Sequence, residues 1–182
     1  MLVAGLAVAA LGVAAPVTAH VLLPASTSTV LDQDLVSPTG SLGNAVNDPS
    51  RRAAVVDEVS DAISETASDQ GGPGAWALSA IERSSPGAVH TLVDRQLIGY
   101  ANALQPSWDA YKSSGAAGGF GDYLSSRSSE VSDTLLGVSD RYAEAARTTG
   151  ARVAYQVGRS SAAEDIPAAL PEIGSILEKA AG

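Results

Sequence analysis

The sequence predicts an all-α protein: an N-terminal hydrophobic helix of transmembrane type, an extended linker, and an irregular helical bundle with one long helix over about 121–160. Three observations predict it. An uncharged run opens the chain, apolar residues recur at spacings of three and four through most of the remainder, and nowhere does a period-two run sit between hairpin turns. The organisation that follows is a hydrophobic anchor or signal segment at 1–23, a Ser/Thr/Pro/Gly-rich linker arm at 24–48 and an acidic helical domain at 49–182. With 182 residues in all, the acidic domain is long enough to bury a core of its own.

The opening run, Leu2 to Leu23, holds 22 residues without a charge. As a helix it reaches roughly 33 Å, enough to cross a hydrocarbon layer of about 30 Å. Two readings stay open. Small residues at Val17-Thr18-Ala19, just after Pro16, suit cleavage following Ala19 and secretion. The missing Lys or Arg ahead of the run weakens that pattern and favours a retained, single-pass anchor with the C-terminal domain extracytoplasmic. Gly5, Ala9 and Gly12 lie near one face, a spacing of small residues that lets another membrane helix approach closely. His20 falls near the outer end, where a neutral imidazole reaches interfacial water.

Pro24 to Asn47 lacks a sustained helical period and reads as a tether, with Leu35-Val36 as a short apolar piece able to dock. Asp48-Pro49 is a helix start, and Val55, Val59, Ile63 and Ala67 form a seam at intervals of four. The acidic Asp57, Asp61 and Glu65 fall on another face, and Gly71-Gly72-Pro73-Gly74 ends the helix. A short helix is expected over 75–83, carrying Trp76. After Ser85-Pro86 comes the clearest buried stripe, Val89, Leu92, Val93, Leu97, Tyr100 and Leu104, with Pro106 as its expected stop. Trp108 and Tyr111 follow on a separate turn, then the glycine-rich loop 115–121.

Beyond the loop, Leu124, Val131, Leu135, Val138, Tyr142 and Ala145 recur at spacings of seven, four and three, a heptad-like seam for a partner helix. The pattern runs on past Gly150, which favours one long helix over two antiparallel ones. Pro167 and Pro171 mark a restart into a final short helix holding Ile173, Ile176, Leu177 and Ala180.

Composition excludes several functions. The net charge is −9, and residues 30–70 carry eight acids against Arg51 and Arg52, so no basic footprint exists for nucleic acid. Cysteine is absent, which removes disulfides, thiolate metal sites and cysteine nucleophiles. His90 and Asp94 stand four apart with Ser84 and Ser85 upstream, the residue types of a hydrolytic triad, but no Gly-x-Ser-x-Gly elbow accompanies them. One histidine beyond the opening run is too few for zinc, and Asp32-x-Asp34 lacks the rest of a calcium loop. The glycines at 115–121 follow no phosphate-binding pattern.

These absences predict a protein that is not an enzyme and uses no cofactor or metal. The expected function is structural: a membrane-anchored helical subunit of a multi-subunit envelope or virion-type assembly. Its partners would be membrane lipid along residues 2–23 and other protein subunits along the heptad-like seam. The alternative is an exported helical binding module that carries a lipid or small ligand between Trp76, Tyr100 and Trp108.

Overall fold

The computed structural model describes residues 33–71, 79–80, 82–115, 118–145 and 149–182, and all regular structure among them is helical. In chain order the helices are α1 (Gln33–Val36), α2 (Gly40–Val46), α3 (Arg52–Gln70), α4 (Ala88–Ser114), α5 (Phe120–Ser125), α6 (Ser128–Ala145) and α7 (Thr149–Ala181). The hydrophobic segment 2–23, with Gly5, Ala9 and Gly12, lies outside the described residues, as does Trp76. Among the described residues no helix is long and apolar enough to cross a membrane.

Helix α3 follows from its seam: Val55, Val59, Ile63 and Ala67 are all buried, while Asp57, Asp61 and Glu65 face solvent. Asp48 starts it by accepting from Ser50 N–H and Oγ–H at 2.8 and 2.6 Å, and its own carbonyl accepts from Arg51 and Arg52. Gly71, at φ +63°, closes it in a conformation that suits glycine. Arg52 bonds Asp94 and Asp57 bonds His90, so α3 and α4 run antiparallel. Lys179 meets Glu58, which lays the end of α7 beside the start of α3.

The stripe on α4 is buried as its spacing predicts except at the half-buried Tyr100, but Pro106 does not end the helix, which runs on to Ser114. An internal proline costs a helix about 3 kcal/mol. Here Trp108, 5% exposed, extends the Leu97-Ala101-Leu104 face by one more turn, and its burial offsets that cost. The same correction applies to α7, which passes through Pro167 and Pro171 without restarting. Ile166, Leu170 and Leu177 are buried along it and hold it against the core.

The segment expected as a linker up to Asn47 instead forms α1 and α2 from Gln33 onward. Leu35, Leu42 and Val46 are buried to 1% exposure or less, and two α4 side chains bind the backbone around them. Asn102 accepts from Thr39 N–H and donates to the carbonyls of Asp34 and Ser37, at 2.7 to 2.8 Å. Gln105 accepts from Leu42 N–H at 2.8 Å. Gly40, at φ +68°, makes the approach possible, since a Cβ there would stand 2.6 Å from Gln105 Cγ.

The long helix over 121–160 is also corrected. Helix α5 ends in a tightened turn, Arg127 N–H to Leu124 carbonyl at 3.0 Å, before α6 begins. Helices α6 and α7 are not one continuous helix, because Arg159 Nε lies 2.8 Å from Asp140 Oδ1. A continuous helix would hold these residues about 28 Å apart. The break at α5 lets Gly121 meet Gly174 of α7, backbone against backbone.

Candidate functional site

The buried faces of α3, α4, α6 and α7 converge on one apolar cavity of about 60 Å³. Val59 and Ile63, one turn apart on the α3 seam, form one wall. Val93, Leu97, Tyr100, Ala101 and Leu104 of α4 form the longest wall, with Leu135 of α6 and Ile173 and Leu177 of α7 opposite. Ala101, 1% exposed, presents only a methyl where its neighbours on the stripe present leucines, and space remains in front of it.

Among the described residues the wall is apolar but for Tyr100. The Tyr100 hydroxyl is 2.7 Å from Ser139 Oγ and 3.4 Å from Gln96 Oε1. Ser139 Oγ–H donates to the Leu135 carbonyl at 3.1 Å. Gln96 and Ser139 are each 5% exposed, so these groups satisfy one another where water is excluded.

The heptad-like seam turns inward. Leu124, Val131, Leu135 and Val138 are buried in the chain's own core, with Leu124 on α5 and the rest on α6. Tyr142 and Ala145 are half-buried. Tyr142 donates to the Leu35 carbonyl at 2.8 Å, and burial pushes its phenol up to about 12. Val36, 46% exposed, is the large hydrophobic that the described surface leaves in solvent.

The hydrolytic arrangement does not form. His90 Nε2 lies 3.0 Å from Asp57 Oδ1 on α3, and Asp94 is engaged by Arg52. Among the described residues no three His, Asp or Glu side chains are grouped to hold a metal ion. At the glycine-rich loop the Phe120 N–H is engaged within the chain, donating to Glu178 Oε2 at 2.8 Å. Tyr111 donates to Glu178 Oε1 at 2.6 Å. These bonds, the tyrosine's first, hold the Glu178 carboxyl below its usual range, and the same carboxylate raises the Tyr111 phenol.

Trp108 does not line the cavity. It packs edge-on to Phe120, ring centroids 5.0 Å apart, in an aromatic cluster with Tyr111 and Tyr123 that ties α4 to α5. Of the aromatic residues expected around a ligand, the structure therefore brings Tyr100 to the cavity. The void itself left no motif in the sequence beyond a small residue, Ala101, inside an otherwise bulky stripe.

The model of the family DUF6918, described as a family of unknown function, matches residues 42–181. The chain belongs to DUF6918. The DUF6918 match spans α3 to α7 and so includes every residue of the cavity wall, while α1 precedes it. No curated protein and no solved structure matches the chain.

Proposed function

We propose that this chain is a non-catalytic helical binding domain that takes an apolar ligand into the cavity between α3, α4, α6 and α7, and that residues 2–23 direct it to a membrane or hold it there. The cavity wall carries the reading: side chains from four helices meet there and none presents a polar group to the space. A ligand seated there would take apolar wall out of water, worth about 25 cal/mol per Å² covered. Spaces between the helices of a bundle are recurrent ligand sites.

The test is calorimetric titration of the full chain with an apolar probe, 1-octanol, beside the variant Ala101→Leu. The variant puts three more carbons into the cavity and leaves residues 2–23 untouched, so it separates cavity binding from association with the opening segment. Saturable binding that the variant loses supports the reading, and equal binding by both proteins rejects it.

A second reading, an anchored structural subunit of an envelope or virion-type assembly, draws its support from the 22-residue uncharged run. Its other support was the seam at 124–145. Four of those six side chains are buried within this chain, so partner subunits would have to use another surface.

A further inference from the structure

Resting on that reading, we propose that the occupant is a single unbranched alkyl chain that enters tail first and keeps its head group in solvent. Size is the first argument. A cavity of about 150 Å³ accepts benzene, and this one measures about 60 Å³. A ring has to enter whole and needs more than this space, whereas an alkyl chain can enter by its terminal carbons alone.

The second argument is that the described wall offers a head group no partner. Among the described lining residues Tyr100 carries the hydroxyl, and it is engaged with Ser139 and Gln96, Ser139 in turn donating to the Leu135 carbonyl. A carboxylate, hydroxyl or ammonium carried inside would give up its water hydrogen bonds for nothing. The third argument is the side on which the cavity opens. Among the described lining residues Tyr100 and Ile173 are half-buried and the others buried, so we place the opening on their side of the cavity. A chain entering there leaves its polar end outside.

The experiment titrates the full chain, in 0.15 M salt, with n-alkyl alcohols, carboxylates and trimethylammonium salts whose alkyl chains run from two to eight carbons. Benzene and cyclohexanol serve as ring comparators, and Ala101→Leu as the filled cavity. Should that variant not fold by circular dichroism, Val93→Ile, which adds one carbon to the same wall, takes its place. Affinity is expected to rise about fourfold for each methylene that enters and then to level off. The three head groups should agree within about threefold at equal chain length, because salt screens the chain's net charge of −9 beyond about 8 Å. The filled variant should lose alkyl binding, and the rings should not bind.

Ring binding that exceeds alkyl binding and is lost in the filled variant would overturn the inference and leave the cavity reading standing. A tenfold dependence on head group would do the same. No binding sensitive to the filled variant, for any probe, would overturn both.

Discussion

Replacing Gly174 by alanine should destabilise this protein, and the same substitution at Gly137 should stabilise it. At the α5–α7 crossing, a Cβ on Gly174 would stand 2.6 Å from Gly121 N and 3.1 Å from Phe120 C, closer still to Gly121 Cα. Non-bonded heavy atoms rest at about 3.5–4.0 Å, so α5 would have to retreat by about 1 Å. It is not free to do so, since Phe120 and Leu124 are fully buried and both neighbours of the new methyl are backbone. Overpacking of this kind costs about 1–3 kcal/mol, and the immovable contact argues for the upper end. Alanine returns at most about 1 kcal/mol of helix propensity. The net is a loss of about 2 kcal/mol, or about 4–8 °C in Tm for a chain of this size.

At Gly137, on α6, an added Cβ meets nothing within 4 Å, so only the propensity gain of about 0.5–1 kcal/mol remains. Urea unfolding at constant m measures both variants against the parent. If Gly174→Ala proved neutral or stabilising, or lost no more than Gly137→Ala, the close crossing of α5 and α7 would be wrong.

Two further substitutions probe the ties between helices. Tyr142→Phe leaves the buried Leu35 carbonyl without its donor, which should cost about 1–2 kcal/mol and speed amide exchange of Ser37, whose N–H closes α1 onto Gln33. Because burial raises the Tyr142 phenol from 10 to about 12, its contribution is complete below pH 10 and is lost as pH climbs through 12. Alkaline titration of Tm should therefore fall less steeply in Tyr142→Phe, and an unchanged slope would argue against the buried phenol. For Glu178, held below its usual 4.5 by Tyr111 and the Phe120 N–H, the contribution is present above pH 4.5 and is lost as pH drops below that value. Glu178→Gln should lower Tm at pH 7 and lose less on going to pH 3 than the parent does. A parallel acid limb in both proteins would count against the clasp.

Helices whose stability rests on their own spacing were legible in the sequence. The seam of α3 is buried as periodicity predicts, and so is the stripe of α4 from Val89 to Leu104 apart from the half-buried Tyr100. Features set by distant residues were not. Helices α1 and α2 depend on Asn102 and Gln105, more than sixty positions away, and a Ser/Gly-rich stretch carries no local mark of such a clamp. Continuation of α4 past Pro106 depends on where Trp108 finds a pocket. The break between α6 and α7 leaves the apolar spacing almost unbroken, and the Asp140–Arg159 pair that shows it has no sequence signature.

The candidate site was legible only as core: Val93, Leu97, Tyr100 and Leu104 share one helical spacing, and all four line the cavity. The void in front of Ala101 is a property of packing among four helices, which periodicity does not encode.

The most direct test of the binding account is a methyl-resolved NMR titration of the full chain, labelled at Ile, Leu and Val, with 1-octanol. Shifts should concentrate on Ile63, Leu97, Leu104, Leu135 and Leu177, which line the cavity, and spare the equally buried Leu124 and Val138, which do not. Shifts absent from the cavity methyls at saturation, or spread evenly over both groups, would contradict it.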